Sequence, residues 1–196
     1  MIRMLTRFQR RTLLENLTEI SKTDENHYIK QQTLMGCGPT AIFNLLRWLG
    51  YNTKYNKHYK AISKLCNSSE YDSKRIRGTW PHDFERILTH VGQTIPEIKR
   101  VEYLSQPTIQ EVYSSFAPNN ALLINYIRET SSHYVLLICN EEGDVFTVNE
   151  YHDQDTKIKL TELGLHQILE RRIVYKGWEC EQHIDCVYPK MWIVSK

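Results

Sequence analysis

The chain has 196 residues, 41% of them apolar and 24% charged, with a formal net charge of +2. That length fits one domain with a core large enough to need no disulfide staples. So small a net charge gives no electrostatic drive toward nucleic acid or anionic membrane. The five cysteines, Cys37, Cys66, Cys139, Cys180 and Cys186, are odd in number and unevenly spaced, which favours free thiols over a disulfide framework.

In chain order, residues 4–21 read as a helix, with Leu5, Phe8, Leu13, Leu17 and Ile20 near one face. Four arginines (Arg3, Arg7, Arg10, Arg11) precede any acid there, without the apolar centre of a signal peptide. Nowhere does an apolar run approach a membrane span. The expected setting is the cytoplasm, or delivery to it as an effector. Residues 1–26 are expected to be a helical extension of a single domain spanning 1–196.

"SKTDENHY" makes a polar linker into "QQTLMGCGPTAIFNLLRWLG", residues 31–50. Gly38 and Pro39 predict a helix start, since a first-turn proline forfeits only an N–H that lacks an intrahelical partner. Ala41, Ile42, Leu45, Leu46 and Leu49 give that helix a buried face, and Gly50 a stop. "GTWPHDFERILTHVG" (78–92) repeats the grammar: Thr79 as cap, Pro81 in the first turn, Phe84, Ile87, Leu88 and Val91 as the stripe, Gly92 as terminator. A short helix follows Pro107, over 108–116.

From residue 121 the period changes. "ALLINYI" and "HYVLLIC" are dense apolar runs suited to strands buried on both faces. "NEEGD" turns the chain, and "VFTVNEY" returns as the second strand of a hairpin. "TELGLHQILERR" predicts a helix, "IVYKG" and "MWIVS" two strands. Helices first and a mainly antiparallel sheet after them make an α+β fold.

Cys37 sits at the mouth of its helix, where partial positive charge favours thiolate, the reactive form. A base would complete the pair. His133 opens a buried strand directly after a polar loop, a position from which it can point into a cleft. Folding 133–139 back on 144–150 brings Asn149 or Glu150 opposite it, according to the parity of the loop. Either side chain can accept the imidazole N–H and set the tautomer that takes the thiol proton.

Together these residues resemble papain-like cysteine peptidases, nearest to the branch of bacteriocin double-glycine-leader peptidase domains and their stand-alone relatives. The shared features are Gln31 six residues before Cys37, "CGPTAIFNLL", the "G-T-x-P" helix in "GTWPHDFERILTHVG", and His133 with Asn149 sixteen residues on. They span roughly residues 27–175. Two positions depart from that branch: Gly36 where an acid is frequent, and Asn149-Glu150 where Asp-Pro is frequent.

The resemblance implies a papain-like fold, with the nucleophile's helix packed on the sheet. It also implies Cys37 as nucleophile, His133 as base and then acid, and Asn149 as its orienting group. Gln31 and the Cys37 N–H would bind the oxyanion. Gln32 is the neighbouring alternative to Gln31, and Glu150 to Asn149. The implied activity is hydrolysis of a peptide or amide bond in a peptide or protein substrate, without cofactor, metal or nucleic acid. The same triad would also serve acyl or peptidyl transfer, and a non-catalytic binding module is the contrasting reading. Cys180, His183 and Cys186 are spaced like metal ligands, but three ligands fall short of a closed zinc site and a polar turn is expected there.

Overall fold

The structure is a computed structural model that describes residues 28–29, 31, 36–51, 58–66, 78–128, 131–148, 157–160 and 189–196. The expected helices at 4–21 and 161–172, the strand at 173–177, Gln32, Asn149, Glu150 and the Cys180–His183–Cys186 group lie outside these residues.

Four helices are described: α1 (Cys37–Trp48), α2 (Lys60–Leu65), α3 (Pro81–Thr94) and α4 (Ile109–Ser115). Six strands, β1 (Arg100–Ser105), β2 (Asn120–Arg128), β3 (Ser131–Cys139), β4 (Val145–Val148), β5 (Lys157–Leu160) and β6 (Lys190–Ser195), form one sheet in the order β1-β6-β2-β3-β4-β5. Every described pair is antiparallel. The architecture is the expected α+β one, consistent with a papain-like fold.

Alternation along the strands divides the core into two layers. Ala121, Leu123, Tyr134, Leu136, Ile138, Trp192 and Val194 pack with α1 and α3. Leu122, Ile124, Val135, Leu137, Cys139, Met191 and Ile193 pack on the other side with Val112 of α4. The strands are apolar at successive positions because both faces are covered. Trp192, at 1% exposure, anchors the first layer, its ring 5.0 Å from Phe84 and 6.3 Å from Tyr134.

α1 ends as the sequence predicts. Gly50 takes φ +88°, its N–H donates to the Arg47 carbonyl (2.9 Å) and the Tyr51 N–H to the Leu46 carbonyl (3.0 Å). This is a Schellman closure, which needs a left-handed residue at that point. At α3 two expectations fail. Trp80 holds the N-cap position with no side-chain cap, so Thr79 does not cap. Gly92 lies inside the helix, which runs on to Thr94. Its small size serves packing instead: a Cβ there would stand 2.7 Å from Val101 Cγ2 on β1. α4 carries a full capping box, Thr108 with Glu111.

Candidate active site

Cys37 is the first residue of α1, buried at 6% exposure. Gly36 occupies the N-cap position with no side-chain cap, and no acidic residue stands in the first turn. The first intrahelical bond runs from the Thr40 N–H to the Gly36 carbonyl (2.9 Å), and Pro39 has no N–H to give. The positive end of the helix field therefore acts on Cys37 with no carboxylate in that turn to neutralise it. The Tyr59 hydroxyl, ahead of α2, donates to the same Gly36 carbonyl at 3.4 Å.

Gln31 is also buried. Its segment is held to α1 by Asn44, whose Oδ1 accepts from the Ile29 N–H (2.8 Å) and whose Nδ2 donates to the Ile29 carbonyl (2.9 Å). Tyr28 lines a recess together with Trp48, the last residue of α1. Tyr28 thus lies near the C-terminal end of α1 and Ile29 beside its middle.

The conformation of "GTWP" ties the Cys37 helix to the strand of His133. The Thr79 side chain presses on α1 so closely that a Cβ on Gly38 would stand 2.3 Å from its Oγ1. Its backbone carbonyl accepts from the Tyr134 hydroxyl at 3.3 Å. Tyr134 in turn stacks on Phe84 of α3, with ring centroids 4.2 Å apart. The residue after Cys37 and the residue after His133 are therefore both fastened to Thr79.

His133 is buried, three residues into β3 and opposite Tyr126 of β2. The Asn125 side chain donates to its backbone carbonyl at 3.5 Å. By alternation His133 has the parity of Val135 and Leu137, while Tyr134 and Leu136 face α1 and α3. The described part of β4 ends with Val148 opposite Leu136, so the positions expected to orient the imidazole begin one residue later.

The other described thiols differ from Cys37 in setting. Cys66 follows α2, and burial pushes its thiol well above the ordinary value, an effect the nearby Thr79 side chain partly offsets. Burial likewise raises Cys139, with the Asp144 carboxylate adding to it. Both belong to the packing, as their place in the sequence implies. Asp83, in the first turn of α3, pairs with Arg86 at 3.0 Å, and Arg86 also reaches the Leu65 carbonyl at 3.1 Å, fastening α3 to α2.

Sequence reasoning missed Asn44 and misassigned Thr79. A polar residue on an amphipathic helix reads as solvated, and only its two bonds to the Ile29 backbone show why this one is not. A threonine two residues before a first-turn proline reads as a cap, and only the nearness of Gly38 shows its other use. Among the described residues no cluster of His, Cys, Asp or Glu is arranged to hold a metal ion. Nor is any described helix long and apolar enough to cross a membrane.

No curated protein matches the chain. The profile of the Peptidase_C39 like family, however, matches residues 23–177, well over half of the sequence, including Gln31, the Cys37 helix, the Thr79 turn and the strand of His133. The order of these elements and the α+β fold they build agree with that match, and the chain belongs to the Peptidase_C39 like family of the papain-like cysteine peptidase superfamily.

Proposed function

We propose that the protein is a cysteine peptidase that cleaves a peptide or amide bond through a covalent acyl-enzyme. The observation that carries this reading is the position of Cys37, first residue of an uncapped helix that packs on β3, the strand bearing His133. In this mechanism His133 takes the Cys37 proton and Sγ attacks the carbonyl carbon. The Gln31 carboxamide and the Cys37 N–H hold the oxyanion. Collapse breaks the C–N bond, His133 hands its proton to the leaving amine, and water releases the acid from the thioester.

In this reading the His133 imidazole reaches the thiol from β3, the strand on which α1 packs. Asn149 is the orienting residue. In this reading its side-chain oxygen accepts the imidazole N–H of His133, with Glu150 as the alternative.

Alkylation by iodoacetamide at about pH 6 tests the nucleophile, because only a thiol of lowered pKa reacts there. Cys37 is expected to react at least about tenfold faster than the other four thiols, and His133→Ala to remove that advantage. Equal labelling of all accessible cysteines would rule the assignment out.

A further inference from the structure

Asn44 has no exposure to solvent. A carboxamide so placed needs partners for both its oxygen and its nitrogen. It finds both on the backbone of Ile29, at 2.8 and 2.9 Å. A side chain here does what a neighbouring strand does in a sheet, fixing one residue of the incoming segment in place and in orientation. That residue lies two positions before Gln31. Asn44 in turn lies seven positions after Cys37, two turns along α1 and on the same face.

We propose that Asn44 is a positioning residue for the oxyanion donor: by gripping Ile29 it sets the Gln31 carboxamide relative to the Cys37 thiol. This rests on the reading of Gln31 as that donor. Asn44 touches no reacting atom. Its effect should therefore appear only in reactions that develop an oxyanion, whereas a purely structural role would depress every reaction of Cys37 alike.

Two probes of the full chain separate these roles. With p-nitrophenyl acetate, Sγ attacks the ester carbonyl, charge builds on the oxygen, and collapse expels p-nitrophenolate to leave an acetyl thioester on Cys37. With iodoacetamide, Sγ displaces iodide in one step and no oxyanion forms. Asn44→Ala is expected to slow acylation about 10- to 100-fold, less than the roughly 100- to 1000-fold cost of removing an oxyanion donor outright. Its alkylation rate and the pH dependence of that rate should stay within about twofold of the parent. In a Gln31→Ala background the same change should slow acylation by no more than about threefold further, because the two residues act through one group.

Ile29→Pro, which deletes the N–H that Asn44 accepts and leaves α1 untouched, should reproduce the pattern. It carries the comparison if Asn44→Ala opens the core and exposes Cys66 and Cys139 to the reagent. Equal slowing of acylation and alkylation by Ile29→Pro, or full additivity with Gln31→Ala, would overturn the proposal. Failure of the underlying reading looks different. Gln31→Ala would then leave acylation unchanged, or Cys37→Ala would be acylated as fast as the parent.

Discussion

The two ends of α1 are built on opposite plans. At the C-terminal end the carbonyls are taken up by the Schellman bonds at Gly50 and Tyr51. Lys196 adds a hydrogen bond to the Trp48 carbonyl (3.3 Å), its ammonium 4.2 Å from the centre of the Trp48 ring. At the N-terminal end there is neither a side-chain cap nor an acid. The seven-residue helix α4, with only Val112 buried, has a full capping box, so the chain is able to close a helix start where it is put to that use. With Gly36 at the N-cap, a start without a side-chain cap on this largely buried helix costs only about a few tenths of a kcal/mol relative to a capped one. What it leaves intact is the field at Cys37. The difference separates an end closed by hydrogen bonds from an end whose field is left open at Cys37.

That contrast is open to direct attack. The largest effect should come from Gly38→Ala at the open end, where the new methyl would meet Thr79 Oγ1 at 2.3 Å and Thr79 Cβ at 2.6 Å. Overpacking of that kind destabilises by about 1–3 kcal/mol, seen as a lower melting temperature. It should also shift Cys37 relative to His133 and abolish the alkylation advantage at mildly acidic pH. At the closed end, Gly50→Ala meets nothing within 4 Å, so only the backbone at φ +88° resists it. It should lower stability by about 1 kcal/mol and leave the Cys37 alkylation rate unchanged. A change in that rate would mean the two ends are not separate.

The smallest effect concerns the capped start of α4. The Glu111 carboxylate accepts from the Thr108 N–H at 2.7 Å and from its hydroxyl at 2.8 Å, and these bonds hold it below the usual carboxylate range. A carboxyl whose folded pKa lies below its unfolded one stabilises above the unfolded value, and that contribution disappears as pH falls through the folded value. Melting curves taken down the acid range should therefore fall less steeply for Glu111→Gln. α1, with no acid in its first turn, has no counterpart to this titration.

Much of this was legible in the sequence, and the failures have physical causes. α1, the hairpin of β2, β3 and β4, and β6 announce themselves through apolar period and turn residues. β1 does not: "RVEYLS" is a half-exposed strand at one edge of the described sheet, given its identity by pairing with β6 far along the chain. α2 is too short for its period to show. At the candidate site, Cys37 stands where the sequence puts it, at the start of a helix, whereas His133, expected to open a strand, lies three residues into β3. Asn44, Thr79 and Tyr134 were not legible, since each matters through one contact with a distant segment, and no local pattern records such contacts. For Thr79 the hint that might have served was the glycine beside the cysteine, a vacancy awaiting a neighbour.

The sheet order carries a consequence for how the protein is made. β6 lies between β1 and β2, and within the described sheet it is the only strand that joins them. During synthesis, the floor beneath Phe84 and the whole of β1 wait for residues 190–195 to leave the ribosome, with Trp192 among them. Contacts of such sequence separation form late. Until then α3, which carries Phe84, and the Thr79 turn ahead of it lack the support of Trp192.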